Sequence, residues 1–168
     1  NLNRTRLKQM TDTLKVAVVG GGTMGNGIAQ AFAMNGHLVS LADVSQEGLE
    51  RALANIRTSL DRFVSKEKMT ADQAAGVADR IQPVCNDLAS AVEGVDIAVE
   101  AVFEKEEVKK EVFSVLGESA PAEAILATNT SSISITTIAS AVSGPERVVG
   151  MHFMNPVPIM KLVEIIKT

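Results

Sequence analysis

The sequence is poor in aromatic residues and in cysteine. Of its 168 residues only 3% are aromatic, with no Trp and no Tyr, and Cys85 is the single cysteine. One cysteine excludes an internal disulfide and favours a reducing compartment. A core without large aromatic residues must be built from Val, Ile, Leu, Ala and Met, and that composition suits a parallel sheet with helices on both faces.

A strong charge of one sign and a long hydrophobic run are also missing. The formal net charge is −4, so the composition predicts neither nucleic acid nor an anionic membrane as a partner. No apolar run reaches the roughly 18 residues expected of a membrane-spanning helix. Hydrophobic residues make up 46% of the chain and charged residues 21%, as in an ordinary globular domain.

The first nine residues are polar and basic, with Arg4, Arg6 and Lys8. They could be the remnant of a transit peptide, or expression-vector sequence ahead of a natural start at Met10. The segment is short and has no apolar stretch, which favours the second interpretation. We therefore assign residues 1–13 to an N-terminal extension and residues 14–168 to one folded domain.

Segments typical of strands and of helices alternate along this domain. Apolar, mainly β-branched runs predict strands at 16–19, 38–42, 81–84, 95–102, 124–127 and 148–149, and a last apolar run covers 162–166. Apolar residues at helical spacing predict helices over 28–34, 49–64, 70–79, 108–116 and 135–141. Gly36 is expected to end the first of these helices, and Gly117 with Pro121 the fourth. The alternation predicts an α/β fold with a mostly parallel sheet.

A glycine-rich turn joins the first predicted strand to the first predicted helix. Gly20-x-Gly22-x-x-Gly25 has the spacing of dinucleotide-binding turns. Gly20 permits a sharp turn, Gly22 lets a pyrophosphate approach the backbone, and Gly25 lets the helix pack closely on the sheet. The start of the helix, with Thr23 and Met24, offers free N–H groups to the phosphates. A tight turn without a ligand is the alternative, but this context favours a Rossmann-type, doubly wound fold with helices on both faces.

Asp43 ends the second predicted strand, about 20 residues after the glycine turn, where such folds place an acidic residue. Its carboxylate would accept hydrogen bonds from the adenine ribose hydroxyls and repel a 2′-phosphate. No Arg or Lys follows within a few residues to neutralise it. The sequence therefore predicts NAD rather than NADP as cofactor. The alternative is a solvated turn residue before Ser45, which is a candidate helix N-cap.

Three later stretches narrow the interpretation, namely Glu-Ala-Val-Phe-Glu-Lys at 100–105, Thr-Asn-Thr-Ser-Ser at 128–132, and Met-His-Phe-Met-Asn-Pro-Val-Pro at 151–158 running into Lys-Leu-Val-Glu at 161–164. With the glycine turn they resemble the 3-hydroxyacyl-CoA dehydrogenases, including the bacterial 3-hydroxybutyryl-CoA dehydrogenases. The resemblance runs from Leu14 to Thr168, with several separate motifs in the same order. It implies an acyl-CoA substrate and reversible, NAD-dependent oxidation of an (S)-3-hydroxyacyl-CoA to a 3-oxoacyl-CoA.

The resemblance implies that His152 is the catalytic histidine and Glu164 its partner carboxylate. The substrate hydroxyl must lose its proton as hydride leaves the same carbon, and an imidazole, with an unperturbed pKa of about 6.5, can accept that proton near neutral pH. A carboxylate on the other ring nitrogen would fix the tautomer and stabilise the imidazolium. Without the motif, a lone histidine beside Phe153 and Met154 is more often a packed structural residue.

Four further residues gain roles from the same resemblance. Ser131 corresponds to a serine that contacts the substrate hydroxyl, and Asn155 to an asparagine near the nicotinamide and the histidine, so both are also expected beside the cofactor. Glu104 and Lys109 correspond to residues near the nicotinamide ribose. The alternative for Ser131 and Asn155 is local backbone capping. The alternative for Glu104 is a favourable charge at a helix N-terminus.

Basic residues at the end of the long predicted helix are candidates for binding CoA. Arg62 and Lys66 are four residues apart and therefore share one helix face. The resemblance places the basic end of this helix region against CoA. An ordinary solvated surface charge is the alternative. No metal site is expected.

The family has a second, mostly helical domain that closes the substrate cleft, supplies a further catalytic asparagine and forms the dimer interface. This domain is absent from the sequence given. We therefore expect these residues to bind NAD but to be incomplete for catalysis. We expect the full-length protein to be a homodimer in the bacterial cytoplasm rather than in the mitochondrial matrix.

Three alternatives stay open. A β-hydroxyacid dehydrogenase acting on free acids would use a lysine as its acid/base group, which the His152 and Glu164 pair argues against. A non-catalytic, crystallin-like NAD-binding relative would not need the four catalytic candidates together. The third alternative is a segment of a multifunctional fatty-acid oxidation protein. A natural start at Met10 would argue against it.

Overall fold

The computed structural model describes residues 13–167, so nearly all of the expected N-terminal extension lies outside the described part. Seven strands occur there, β1 (Lys15–Val19), β2 (Leu38–Asp43), β3 (Ile81–Cys85), β4 (Ile97–Glu100), β5 (Ile125–Thr128), β6 (Val148–Phe153) and β7 (Val163–Lys167). The α-helices are α1 (Thr23–Met34), α2 (Gln46–Ser65), α3 (Ala71–Ala78), α4 (Leu88–Ala91), α5 (Glu106–Ser119) and α6 (Ile135–Ala139). None of these helices is long and apolar enough to cross a membrane.

All seven strands form one sheet in the order β3-β2-β1-β4-β5-β6-β7. Neighbouring strands are parallel, except that β6 and β7 are antiparallel. The strand order reverses at β1, because β2 and β3 lie on one side of it and the later strands on the other. This is the doubly wound arrangement, in which a crevice opens at the carboxyl ends of the strands that flank the reversal. The predicted Rossmann-type α/β fold is confirmed.

Apolar side chains on the two faces of the sheet form two separate hydrophobic layers. In β1, Val16 and Val18 belong to the layer beneath α1, α2 and α3, whereas Ala17 and Val19 belong to the layer beneath α4, α5 and α6. Side chains of a strand alternate between faces, so a strand covered on both sides must be apolar throughout. The helices that cover both faces of the sheet therefore explain the continuous apolar runs in the sequence.

Polar side chains fix where helices begin. The hydroxyl of Thr70 accepts a hydrogen bond from the Gln73 amide N–H at 3.2 Å, and Oε1 of Gln73 accepts one from the Thr70 N–H at 2.8 Å. Thr70 followed three residues later by Gln73 is the sequence pattern of a capping box, and here this capping box starts α3. Ser45 Oγ accepts from Gly48 N at 3.1 Å and caps α2. Gly36 follows α1 with a φ of 88°, a conformation that glycine adopts readily.

Several elements differ from the prediction. The strand expected at 95–102 covers only Ile97–Glu100, and the strand expected at 148–149 extends over Val148–Phe153. Of the two residues expected to end the fourth predicted helix, Pro121 follows the C-cap Ala120 directly, whereas Gly117 does not end the helix, because α5 continues to Ser119. A Cβ at Gly117 would lie 3.0 Å from Cγ1 of Val142, so the glycine permits close packing inside the helix. The four-residue helix α4 was not expected, since so short a segment carries no helical period.

A buried ion pair joins β4 to α5. Lys109 and Glu100 are 1% and 0% exposed, and Lys109 Nζ lies 2.7 Å from Glu100 Oε1. The other oxygen of Glu100 accepts a hydrogen bond from Thr128 Oγ1 at 2.7 Å, which connects β4 to β5. A buried charge that loses its partner is strongly destabilising. The sheet and its covering helix therefore depend on both members of the pair.

Replacing Lys109 by Met should lower the free energy of unfolding by about 3–5 kcal/mol, because it leaves the Glu100 carboxylate buried without its counter-ion. Urea unfolding followed by circular dichroism measures the change. Lys110→Met is the matched control, since Lys110 pairs with Glu106 at 2.8 Å on the surface, where such a pair contributes at most about 1 kcal/mol. Equal losses in the two variants would contradict this account of the buried pair.

Candidate active site

A cavity of about 630 Å³ opens at the carboxyl ends of β1, β2, β3 and β4. The glycine turn, with Thr23 and Met24 at the start of α1, lines it together with Asp43 at the end of β2. The residues that follow β4 line it as well. The cavity thus occupies the crevice at which doubly wound sheets bind their ligands.

Glycine occupies three positions of the turn, and the surroundings of these positions differ. A Cβ on Gly20 would lie 2.7 Å from the carbonyl oxygen of Ala101, and a Cβ on Gly25 would lie 1.7 Å from that of Gly20. Protein packing therefore accounts for these two glycines. A Cβ on Gly22 would meet no atom within 4 Å, so the fold itself does not require this glycine. Its place at the N-terminus of α1 fits a ligand that approaches the backbone closely.

Asp43 connects the end of β2 to the glycine turn. Its Oδ2 accepts a hydrogen bond from Gly21 N at 2.7 Å, and its Oδ1 accepts one from Ser45 N at 2.9 Å. Among the described residues that line the cavity, the charged ones are all acidic, namely Asp43, Asp87 and Glu111. A ligand with an additional phosphate near these groups would meet like charges.

Two large apolar side chains at the cavity were not among the residues predicted from the sequence. Val44 and Phe103 are 82% and 83% exposed, and both line the cavity. Exposed apolar surface beside a mostly apolar cavity suits a planar ring such as adenine. Their position in the sequence could have indicated them, because Val44 and Phe103 each lie within three residues after the end of a strand that borders the crevice.

The last two strands bring His152 and Glu164 together. The two residues are direct cross-strand partners in β6 and β7, and His152 Nδ1 lies 2.9 Å from Glu164 Oε2. On the other side of the ring, Nε2 lies 3.0 Å from Ser131 Oγ. Ser131 belongs to the loop after β5, the strand beside β6. The His152 side chain remains 24% exposed, so the ring is open to a ligand.

This arrangement orients the imidazole. With the Glu164 carboxylate at Nδ1, the neutral ring is expected to carry its proton on Nδ1 and a lone pair on Nε2, a tautomer inferred from the hydrogen-bond network. Nε2 is then an acceptor for a hydroxyl group, whether from Ser131 or from a bound molecule. The group can therefore accept or return one proton at Nε2.

Asn155 is not part of this hydrogen-bonded group. It lies two residues beyond β6, is exposed, and makes no hydrogen bond with His152. Another asparagine, for which the sequence predicts no role, holds the end of β6. Asn129 Oδ1 accepts a hydrogen bond from Phe153 N at 2.9 Å and so ties the strand that carries His152 to the loop that carries Ser131.

Glu104 hydrogen-bonds the loop between β5 and α6 that carries Ser131 (residues 129–134, the serine loop), and Lys109 pairs with Glu104. Neither residue lines the cavity. Glu104 Oε1 accepts hydrogen bonds from the Thr130 hydroxyl and from Ser131 N, the latter at 3.0 Å, while its Oε2 lies 3.2 Å from Lys109 Nζ. Partial burial raises the pKa of Glu104, but the Thr130 hydrogen bond and the charge of Lys109 outweigh it and lower the pKa to about 2. The carboxylate is therefore ionised throughout the physiological range.

The predicted CoA residues lie elsewhere. Arg62 and Lys66 are exposed at the C-terminal end of α2 and are not among the residues that line the cavity. Their contact with CoA stays a prediction. Within residues 13–167 no group of three or more His, Cys, Asp or Glu side chains could hold a metal ion.

A doubly wound sheet, a glycine turn at its reversal point and an acidic residue at the end of β2 define a Rossmann-type dinucleotide-binding domain. Residues 15–168 match the family model described as 3-hydroxyacyl-CoA dehydrogenase, NAD binding domain. The chain belongs to this family, and the resemblance seen in its motifs is confirmed.

Individual proteins and solved structures similar to this chain support the same family assignment. The chain is 46% identical over 157 residues to the 3-hydroxyadipyl-CoA dehydrogenase of Escherichia coli (strain K12), covering 94% of the chain and 33% of that protein. It is 43% identical over 153 residues to a Clostridioides difficile 3-hydroxybutyryl-CoA dehydrogenase, covering 91% and 54%. A crystal structure of an Escherichia coli K12 3-hydroxybutyryl-CoA dehydrogenase matches with a TM-score of 0.87 at 46% identity, covering 92% of the chain and 32% of that structure. The chain thus spans a third to about half of these relatives.

Gly22→Ala should leave the fold intact and weaken NAD binding about tenfold or more, because its methyl group would occupy the space through which the phosphates approach the backbone. Thermal unfolding and isothermal titration calorimetry measure the two effects. Gly25→Ala is the contrasting variant, since its methyl would collide with the Gly20 carbonyl and should prevent folding or cost several kcal/mol. Unchanged NAD affinity in Gly22→Ala would show that the cofactor does not approach there.

Proposed function

We propose that this chain is the NAD-binding part of a 3-hydroxyacyl-CoA dehydrogenase that also carries the proton-transfer residues. The reaction is the reversible oxidation of an (S)-3-hydroxyacyl-CoA to a 3-oxoacyl-CoA. The observation that carries the proposal is the cross-strand pair of His152 and Glu164, with Ser131 on the free ring nitrogen. Family membership and the names of the relatives support the substrate class.

The residues of the crevice fit NAD. The open backbone at Gly22 leaves room for a pyrophosphate at the N-terminus of α1, where free N–H groups can bind it. Asp43 lies where the ribose hydroxyls would donate to a carboxylate, and the acidic lining disfavours the extra phosphate of NADP. Val44 and Phe103 offer apolar surface for the adenine. When bound, NAD supplies the acceptor for the hydride of the substrate.

His152 is the proposed general base. Its Nε2 accepts the proton of the substrate hydroxyl as the hydride leaves, and Glu164 at Nδ1 stabilises the resulting imidazolium. Ser131 is proposed to hydrogen-bond the same substrate oxygen, and the 3.0 Å distance from its Oγ to Nε2 supports this role. In the reverse direction His152 returns the proton to that oxygen.

The remaining parts of the proposal concern the full-length protein. Because the relatives are two to three times longer than the aligned segment, we infer a further C-terminal domain that closes the substrate cleft and forms a homodimer. Asn155 is proposed to face the nicotinamide, and Arg62 with Lys66 the CoA phosphates. A location in the bacterial cytoplasm is part of the same proposal and rests on the similarity to bacterial enzymes.

His152→Ala in the full-length protein should lower kcat with acetoacetyl-CoA and NADH by about 10²–10⁴-fold, the usual contribution of a general acid or base. NAD affinity should change less than twofold, because His152 does not line the cavity. His37→Ala is the control, since His37 is the other histidine of the chain and its Nδ1 accepts from Leu14 N at 3.2 Å, away from the site. A near-normal kcat in His152→Ala would remove this residue from the mechanism.

The full-length protein should favour NADH over NADPH by about a hundredfold or more in kcat/KM, because contact between like charges costs several kcal/mol. Steady-state kinetics with each cofactor at saturating acetoacetyl-CoA gives the ratio. Asp43→Asn keeps the size of the side chain and removes its charge, so it should reduce the ratio. A preference for NADPH in the unaltered protein would refute the role given to Asp43.

A further inference from the structure

The contact between Ser131 and His152 depends on the placement of a loop. Ser131 is exposed and lies between β5 and α6. A serine on a free loop samples many positions, and holding it in one costs conformational entropy. The 3.0 Å separation of its Oγ from His152 Nε2 therefore requires that the backbone of the loop be fixed by other contacts.

One carboxylate oxygen binds three consecutive residues of this loop. Glu104 Oε1 accepts from the Thr130 hydroxyl, from Ser131 N at 3.0 Å, and from both N and Oγ of Ser132 at 3.3 Å. Hydrogen bonds to an ionised acceptor are stronger than those between neutral groups. Because the amide of Ser131 is one of the donors, the position of Glu104 determines where the backbone of Ser131 lies.

Glu104 is in turn anchored to the buried core. Its Oε2 lies 3.2 Å from Lys109 Nζ, and the same ammonium pairs with the buried Glu100 at 2.7 Å. Glu100 accepts a hydrogen bond from Thr128, the last residue of β5. Contacts between charged and hydroxyl groups therefore lead from the interior of the sheet to the serine loop without a gap.

Thr130 links Glu104 to the backbone turn that contains Ser131. It is 7% exposed, so its side chain does not face the open site. Its hydroxyl donates to Glu104 and accepts from Ile133 N at 3.0 Å. A single hydroxyl group thus binds the anchored carboxylate and also closes the backbone turn that contains Ser131.

We propose that Thr130 is a positioning residue that sets the Ser131 hydroxyl against His152 Nε2 by tying the serine turn to Glu104. The inference rests on the proposed function, in which Ser131 and His152 contact the substrate hydroxyl. Thr130 acts through Ser131 and touches neither substrate nor cofactor. Misplacement of a catalytic contact by about 1 Å can lower a rate by about a hundredfold.

Thr130→Val and Thr130→Ser are matched variants for the test. Valine keeps the shape of threonine and loses the hydroxyl, whereas serine keeps the hydroxyl and loses the methyl group. In the full-length protein Thr130→Val should lower kcat about 10- to 100-fold with the KM for NADH within about twofold, and Thr130→Ser should stay within about threefold of the unaltered kcat. In this chain, the ¹⁵N resonance of His152 Nε2 should shift in the valine variant and stay unchanged in the serine variant.

A folded Thr130→Val protein with kcat within twofold of normal and an unchanged Nε2 resonance would overturn the inference. Equal losses of kcat in the serine and valine variants would also overturn it, because the hydroxyl would then not be the group that matters. If the valine variant does not fold, Thr130→Ala takes its place with the same expected loss.

His152→Ala separates this inference from the proposed function. Full activity in that variant would refute the reaction mechanism, whatever Thr130 does. Loss of activity in His152→Ala together with normal activity in Thr130→Val would overturn the positioning role alone.

Discussion

The rest of the site depends on the ion pairs that the buried ammonium of Lys109 forms with Glu100 and Glu104. This ammonium is shared by two carboxylates, one of which holds β4 to β5 while the other holds the serine loop. The negative charge that remains is stabilised by N–H and O–H donors, as a buried charge requires. The loop that carries Ser131 is therefore held in position by contacts that begin in the core of the sheet.

Topology explains why the two halves of the site lie on one side of the molecule. Parallel strands end at the same edge, so the crevice at β1 and β4 and the loop after β5 share that edge. The antiparallel β7 then returns beside β6 and places Glu164 directly opposite His152. Cross-strand partners lie close together on one face, so two residues distant by 12 in sequence form one hydrogen-bonded pair.

Features of the sequence that are local could be predicted, and those that arise from packing could not. The alternation of strands and helices, the glycine turn and the capping box at Thr70 follow from short-range patterns. Gly117 does not end its helix because it permits contact with another segment, and the exposure of Phe103 cannot be read from a sequence. The bond between Glu104 and Thr130 spans 26 residues, so no spacing rule could reveal it. The roles proposed for His152 and Glu164 follow from the family resemblance rather than from periodicity.

The unfilled space beside Gly22 has a consequence for how related chains can be compared. Gly20 and Gly25 are demanded by the backbone around them, so any chain with this turn must keep them whether or not it binds a cofactor. A Cβ at position 22 would meet no such contact, so glycine there fits the close approach of a ligand better than it fits any packing constraint. A relative with a larger residue at this one position would be expected to retain the fold and to have lost the dinucleotide, which makes residue 22 a marker of function separable from the markers of fold.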